Sequence, residues 1–155
     1  MTKALTAAGA ALALFLLVLG LVIYVNREED AIAVDNLLAE SITREIGTAE
    51  QRGEDVDLSD VTQFDWDAVV IAAKTASRED ISRAVGAPWE GDLAFRTGEL
   101  LIFLRGTHVT RFADYRGEGR FAGIERPVAR FYRDEAVFSV RSLVIRPRGS
   151  EPSSP

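Results

Sequence analysis

His108 is the one histidine in the chain, and there is no cysteine. A serine or threonine nucleophile would therefore depend on His108 as its imidazole base, and neither a histidine pair nor a thiolate set can form for a metal. Carboxylates offer the other chemistry. Asp65 and Asp67 flank a tryptophan in Phe64-Asp65-Trp66-Asp67 and would be the pair for general acid and base work. Strand alternation instead turns such a pair outward, and nothing else in the sequence converges on it. Asp55, Asp57 and Asp60 imitate a calcium loop but lack its third ligand position, its glycine and its distal glutamate. Gly117, Gly119 and Gly123 neither follow a strand nor open a helix, as a phosphate cradle requires. The residue types point away from an enzyme, and no cofactor or metal is expected.

Charge offers recognition instead. The net charge is −6, but it is split: Asn26 to Glu99 holds eighteen acids and seven bases, while Leu100 to Pro155 holds ten arginines and six acids. Arg111, Arg130 and Arg141 fall in strand-like runs whose alternation turns them outward, so they are candidates for an interaction surface. On anionic head groups or wall polymers each would contribute about 1 kcal/mol. Nucleic acid is disfavoured by the overall acidity.

These residues must be positioned by elements, and the first of them is apolar. Ala4 to Val25 contains no charged residue. As a helix it would be about 33 Å long, enough for a hydrocarbon core of roughly 30 Å. A cleaved signal peptide would have a shorter apolar region and a cleavage site soon after it. Here Ala31-Ile32-Ala33 offers small-x-small, with Arg27, Glu28, Glu29 and Asp30 intervening. The reading is an uncleaved single-pass anchor in the cell membrane, with residues 1–3 cytoplasmic, 4–25 in the bilayer and the remainder outside. Ala4/Ala8, Ala7/Ala11 and Gly9/Ala13 are small-xxx-small pairs of the kind that lets such helices associate.

Residues 26–57 read as an amphipathic stalk helix and a charged linker. Ala31, Val34, Leu38, Ile42, Ile46 and Ala49 recur at helical spacing over Asp30 to Glu50. Glu40 and Arg44 are set for an ion pair, and Gly47 is the first plausible stop. The stripe must be covered by the domain itself, by a second copy or by another envelope protein, so Val34, Leu38 and Ile42 join the candidate interaction surface. Residues 58–146 read as an α+β domain. An inner strand spans Ala68 to Ala73. Ser77 and Asp80 then form a capping box for a short helix that Gly86 ends and Pro88 blocks. An antiparallel meander follows: Leu93 to Arg96, Leu100 to Leu104, His108 to Phe112, then a hairpin of Val128 to Tyr132 with Ala136 to Ile145. This predicts one sheet of about four or five strands covered by one short helix. Residues 147–155 read as a disordered tail.

The run Ser77-Arg-Glu-Asp-Ile-Ser-Arg-Ala-Val-Gly-Ala-Pro88, followed by Trp89 and a meander, resembles a unit of small exported bacterial proteins. That unit is found in the small outer-membrane-assembly lipoproteins and in β-lactamase inhibitor protein. The resemblance covers about Asp65 to Phe112. The chain also resembles small membrane-anchored bacterial proteins of unknown function that carry a Phe-x-Trp strand before such a helix. It departs from the first group in lacking a lipidated cysteine, and from the inhibitor in having one unit rather than a repeat. The likeness implies an envelope fold that binds a protein partner. Self-association through the anchor or the stalk is the other arrangement these features fit.

Overall fold

The computed structural model describes residues 34–91, 93, 98–123 and 127–150. The chain divides into two units, Met1–Ala31 and Ile32–Pro155, and the architecture below is that of the second. The expected anchor, most of the strand expected at Leu93 to Arg96 and the last five residues of the tail lie outside the described residues. Among the described residues no helix is long and apolar enough to cross a membrane.

Asp35 starts the first helix, α1 (Asn36–Arg52), by accepting the Leu38 N–H on its Oδ1 at 2.9 Å. The helix passes through Gly47 and ends only at Gly53, whose φ of 67° lets its N–H reach Ala49 O and Glu50 O. Gly47 is thus not the stop its type suggested, because packing of the stripe outweighs one weak helix former. Leu38, Ile42, Ile46 and Ala49 are buried against the chain's own sheets. Arg44 donates to Ser41 Oγ in place of the expected pairing with Glu40.

The segment expected as a charged linker is folded. It forms β1 (Asp55–Asp57) and a single turn, α2 (Leu58–Val61), because Val56 and Leu58 are apolar anchors among the acids and are buried. Next come β2 (Ala68–Ala72), α3 (Arg78–Val85), β3 (Glu99–Arg105), β4 (His108–Tyr115), β5 (Arg120–Phe121), β6 (Val128–Tyr132), β7 (Val137–Arg141) and β8 (Val144–Pro147). The capping box of α3 forms as its sequence predicts, with Ser77 and Asp80 exchanging hydrogen bonds and Gly86 left-handed at the end.

The strands make two four-stranded sheets rather than one. The central sheet has the order β4-β3-β2-β6 and is antiparallel throughout. A bulge at Phe103/Leu104 leaves Thr110 to donate its hydroxyl to Phe103 O. The flanking sheet has the order β1-β7-β8-β5, with β5 pairing in parallel with β8. The predicted hairpin of Val128 to Tyr132 with Ala136 to Ile145 does not form. Instead β6 pairs with β2 and β7 with β1 and β8, the 3-10 turn Arg133–Glu135 carrying the chain from one sheet to the other. Both runs alternate, and alternation specifies a face but not a partner.

Core packing lies on both faces of the central sheet. One face, with Val70, Leu100, Ile102 and Phe112, packs on Ile81 and Val85 of α3 and on Trp89. The other, with Val69, Ile71, Leu101 and Phe103, packs on α1 and on Phe138, Val140 and Ile145 of the flanking sheet. Phe103 is the hub of that side, edge-on to Phe64 and Trp66 at 5.3 and 5.2 Å. At Gly98 a Cβ would come 1.7 Å from Tyr115 O, so only glycine lets the chain enter β3 there, with its N–H on the buried Asp114.

Candidate functional site

The three arginines expected to share a basic face are scattered over different elements and bound internally. Arg111 of β4 pairs with Asp35 at 2.7 Å and lies over the Phe64 ring. Arg130 of β6 donates to Ala84 O in the last turn of α3 and to Gly106 O in the β3–β4 turn, both at 3.2 Å. Arg141 of β7 donates to Glu54 O and Val140 O and lies 3.9 Å from Asp55. Among the stalk residues, Leu38 and Ile42 are 7% and 0% exposed, so α1 keeps its stripe for its own core. Val34 is 37% exposed and sits just ahead of the helix.

Asp65 and His108 are exposed. Asp67 accepts the Gly106 N–H on its Oδ2 at 2.7 Å and so ties the entry of β2 to the β3–β4 turn. This end of the central sheet also holds a shallow concavity beside the exposed Tyr132 ring. A groove of about 690 Å3 is lined by Asp57, Ser59, Trp66, Asp67, Tyr132 and the turn Arg133, Asp134 and Glu135. Each wall has a local cause. Asp57 caps α2 by accepting the Ser59 N–H. Trp66 is held by its Nε1–H on Thr62 Oγ1 at 2.6 Å, and Thr62 in turn donates to Leu58 O. Arg133 lies over the indole at 5.1 Å and donates to Trp66 O. Glu135 turns back to accept the Tyr132 N–H, leaving the Tyr132 ring 58% exposed at the lip.

Four carboxylates and one guanidinium line this groove, with aromatic carbon on its floor and lip. Such a surface suits a cationic group carried on an apolar stem. Among the described residues no three histidine or carboxylate side chains are placed to hold a metal ion. Sequence reasoning weighed Asp67 for acid–base chemistry and read it instead as an outward-facing strand residue, and it passed over Tyr132 and Asp134 as strand end and turn. The available signal was an aromatic residue set directly before three charged ones.

Perturbed ionisation lies away from the groove. Burial pushes the Asp35 carboxyl up, but the Leu38 N–H and the Arg111 guanidinium outweigh it and hold the group below the usual range. The Ser77 hydroxyl and N–H lower Asp80. Burial raises Tyr115, an effect that the Gly119 N–H opposes and that Glu99, Glu50 and Glu118 reinforce. Asp35 and Asp80 are explained by capping and pairing bonds, and Tyr115 by its burial. No family model, curated protein or solved structure matches the chain.

Proposed function

We propose that the chain is a non-enzymatic, single-pass envelope protein whose outer domain binds a protein partner through the groove at the end of β6. The observation that carries the binding half is the exposed Tyr132 ring beside a groove rich in carboxylates. Tyrosine is among the residue types enriched at the energetic hot spots of protein interfaces. The membrane half is supported by the uncharged run Ala4 to Val25. A face for lipid or wall polymer has less support, since Arg111, Arg130 and Arg141 already hold internal partners. An enzyme using Asp65, Asp67 or His108 has less support, since Asp65 and His108 are exposed and Asp67 Oδ2 accepts the Gly106 N–H as a tie between β2 and the β3–β4 turn.

The test of binding is photo-crosslinking of the full-length protein in its native membranes. A photoreactive residue replaces Tyr132 in one sample and Glu40, on the exposed face of α1, in another. A discrete adduct from position 132 is expected, and an adduct from position 40 alone, or from neither position, would overturn the reading. Carbonate extraction and protease added outside the cell check the tether: a soluble chain, or a protected C-terminal part, would remove it.

A further inference from the structure

We infer that the partner presents an extended segment bearing lysine or arginine, which lies along β6 as a fifth strand of the central sheet; this rests on the partner-binding reading above. The pairing of β6 with β2 decides which backbone groups face outward. Arg133 N–H donates to Asp67 O, and Ala73 N–H donates to Pro127 O. The ladder bonds therefore fall on Pro127, Ala129, Phe131 and Arg133. The N–H and C=O groups of Val128 and Arg130 point the other way, at the end of the strand order. Among the described residues nothing pairs with them. The opposite edge differs, because Asp35 at the entry to α1 donates its N–H to Phe112 O of β4.

An open edge is a template for another strand, and peptide recognition by strand addition needs hollows beside it for alternate side chains. β6 has one toward each end. Near Val128 a hollow of about 300 Å3 is lined by Asp80, Arg83, Ala84, Pro127 and Val128. Near Tyr132 lies the larger groove. Their charges set the occupant. The first balances Asp80 against Arg83 and accepts small apolar side chains, while the second sets Asp57, Asp67, Asp134 and Glu135 against Arg133 alone. The excess of carboxylates favours a cation at the Tyr132 end, beside a ring over which Arg130 already lies at 5.9 Å. The β6 edge of a second copy fits poorly, because the arginine it carries, Arg130, is already bonded to Ala84 O and Gly106 O and brings no free cation to the groove.

The experiment is peptide binding to the full-length chain in detergent micelles, followed by fluorescence anisotropy and amide exchange. The probes are a labelled peptide of alternating valine and lysine and its valine–glutamate counterpart. The lysine peptide is expected to bind and to slow exchange of the Val128 and Arg130 amides. Its affinity should fall about tenfold for Val128→Pro, which removes one outward donor and leaves the ladder to β2 intact. Asp134→Lys should weaken it similarly, and this exposed position carries the test if the proline variant does not fold. Equal binding of the glutamate peptide, unchanged affinity in both variants, protection elsewhere than β6, or no binding would each overturn the proposal. The crosslinking experiment separates the two ideas. An adduct from position 132 with no peptide binding would end strand addition and leave partner binding at the groove standing, whereas an adduct from position 40 alone, or from neither position, would end both.

Discussion

Trp66 and Trp89 are both buried, and they differ by one hydrogen bond. Trp66 donates its Nε1–H to Thr62, while the Nε1–H of Trp89 has no partner among the described residues. A buried donor without an acceptor costs about 1–3 kcal/mol. Trp66→Phe should therefore destabilise by roughly 1–2 kcal/mol, since it leaves the Thr62 hydroxyl oxygen without its donor. Trp89→Phe keeps an edge-on aromatic contact with Phe112 and removes an unsatisfied group, so its cost should be smaller. Urea denaturation of the two variants checks the order, and equal losses would contradict it. Asp35 carries a pH signature. A carboxyl held low in the folded state adds stability above about pH 4, which is lost as pH falls through the folded value. Asp35→Asn keeps a capping oxygen but loses the pairing with Arg111. Because Arg111 is half exposed, the loss at neutral pH should stay below about 1 kcal/mol, and the acid side of the stability profile should become shallower.

Elements whose cause is local were legible in the sequence. The capping box of α3, the stripe of α1 and the β3–β4 hairpin follow from spacing within a dozen residues. The both-sided burial of β3 follows from its unbroken apolar run. Elements that depend on a distant partner were not legible. β1 is three residues long and exists because β7 pairs with it, while β5 is two residues held by β8. The groove failed to show for the same reason: Asp57, Asp67 and Asp134 are brought together by the crossing between sheets, which no local pattern announces. Gly47 gives a prediction at this scale. It sits inside α1, and a Cβ there would meet nothing within 4 Å. Gly47→Ala should raise stability by about 0.5–1 kcal/mol and the melting temperature with it. An unchanged or lower melting temperature would show that this backbone position is constrained in another way.

At the scale of the whole molecule, β2 and β3 have no solvent side. Ala68 to Ala72 and Leu100 to Leu104 are buried on both faces, under α3 on one and under α1 with the flanking sheet on the other. Amides of Val70, Ile71 and Ile102 should exchange only through global opening, with protection equal to the full unfolding free energy, whereas those of β5 should exchange locally. Exchange at Ile71 far faster than the denaturation free energy allows would refute this. A wall shared by two layers also fixes how the domain comes apart. Neither layer has a floor of its own, so stripping one uncovers apolar wall beneath the other and both are lost in one step. Heat, urea and a pulling force should therefore each find a single all-or-none transition in this unit.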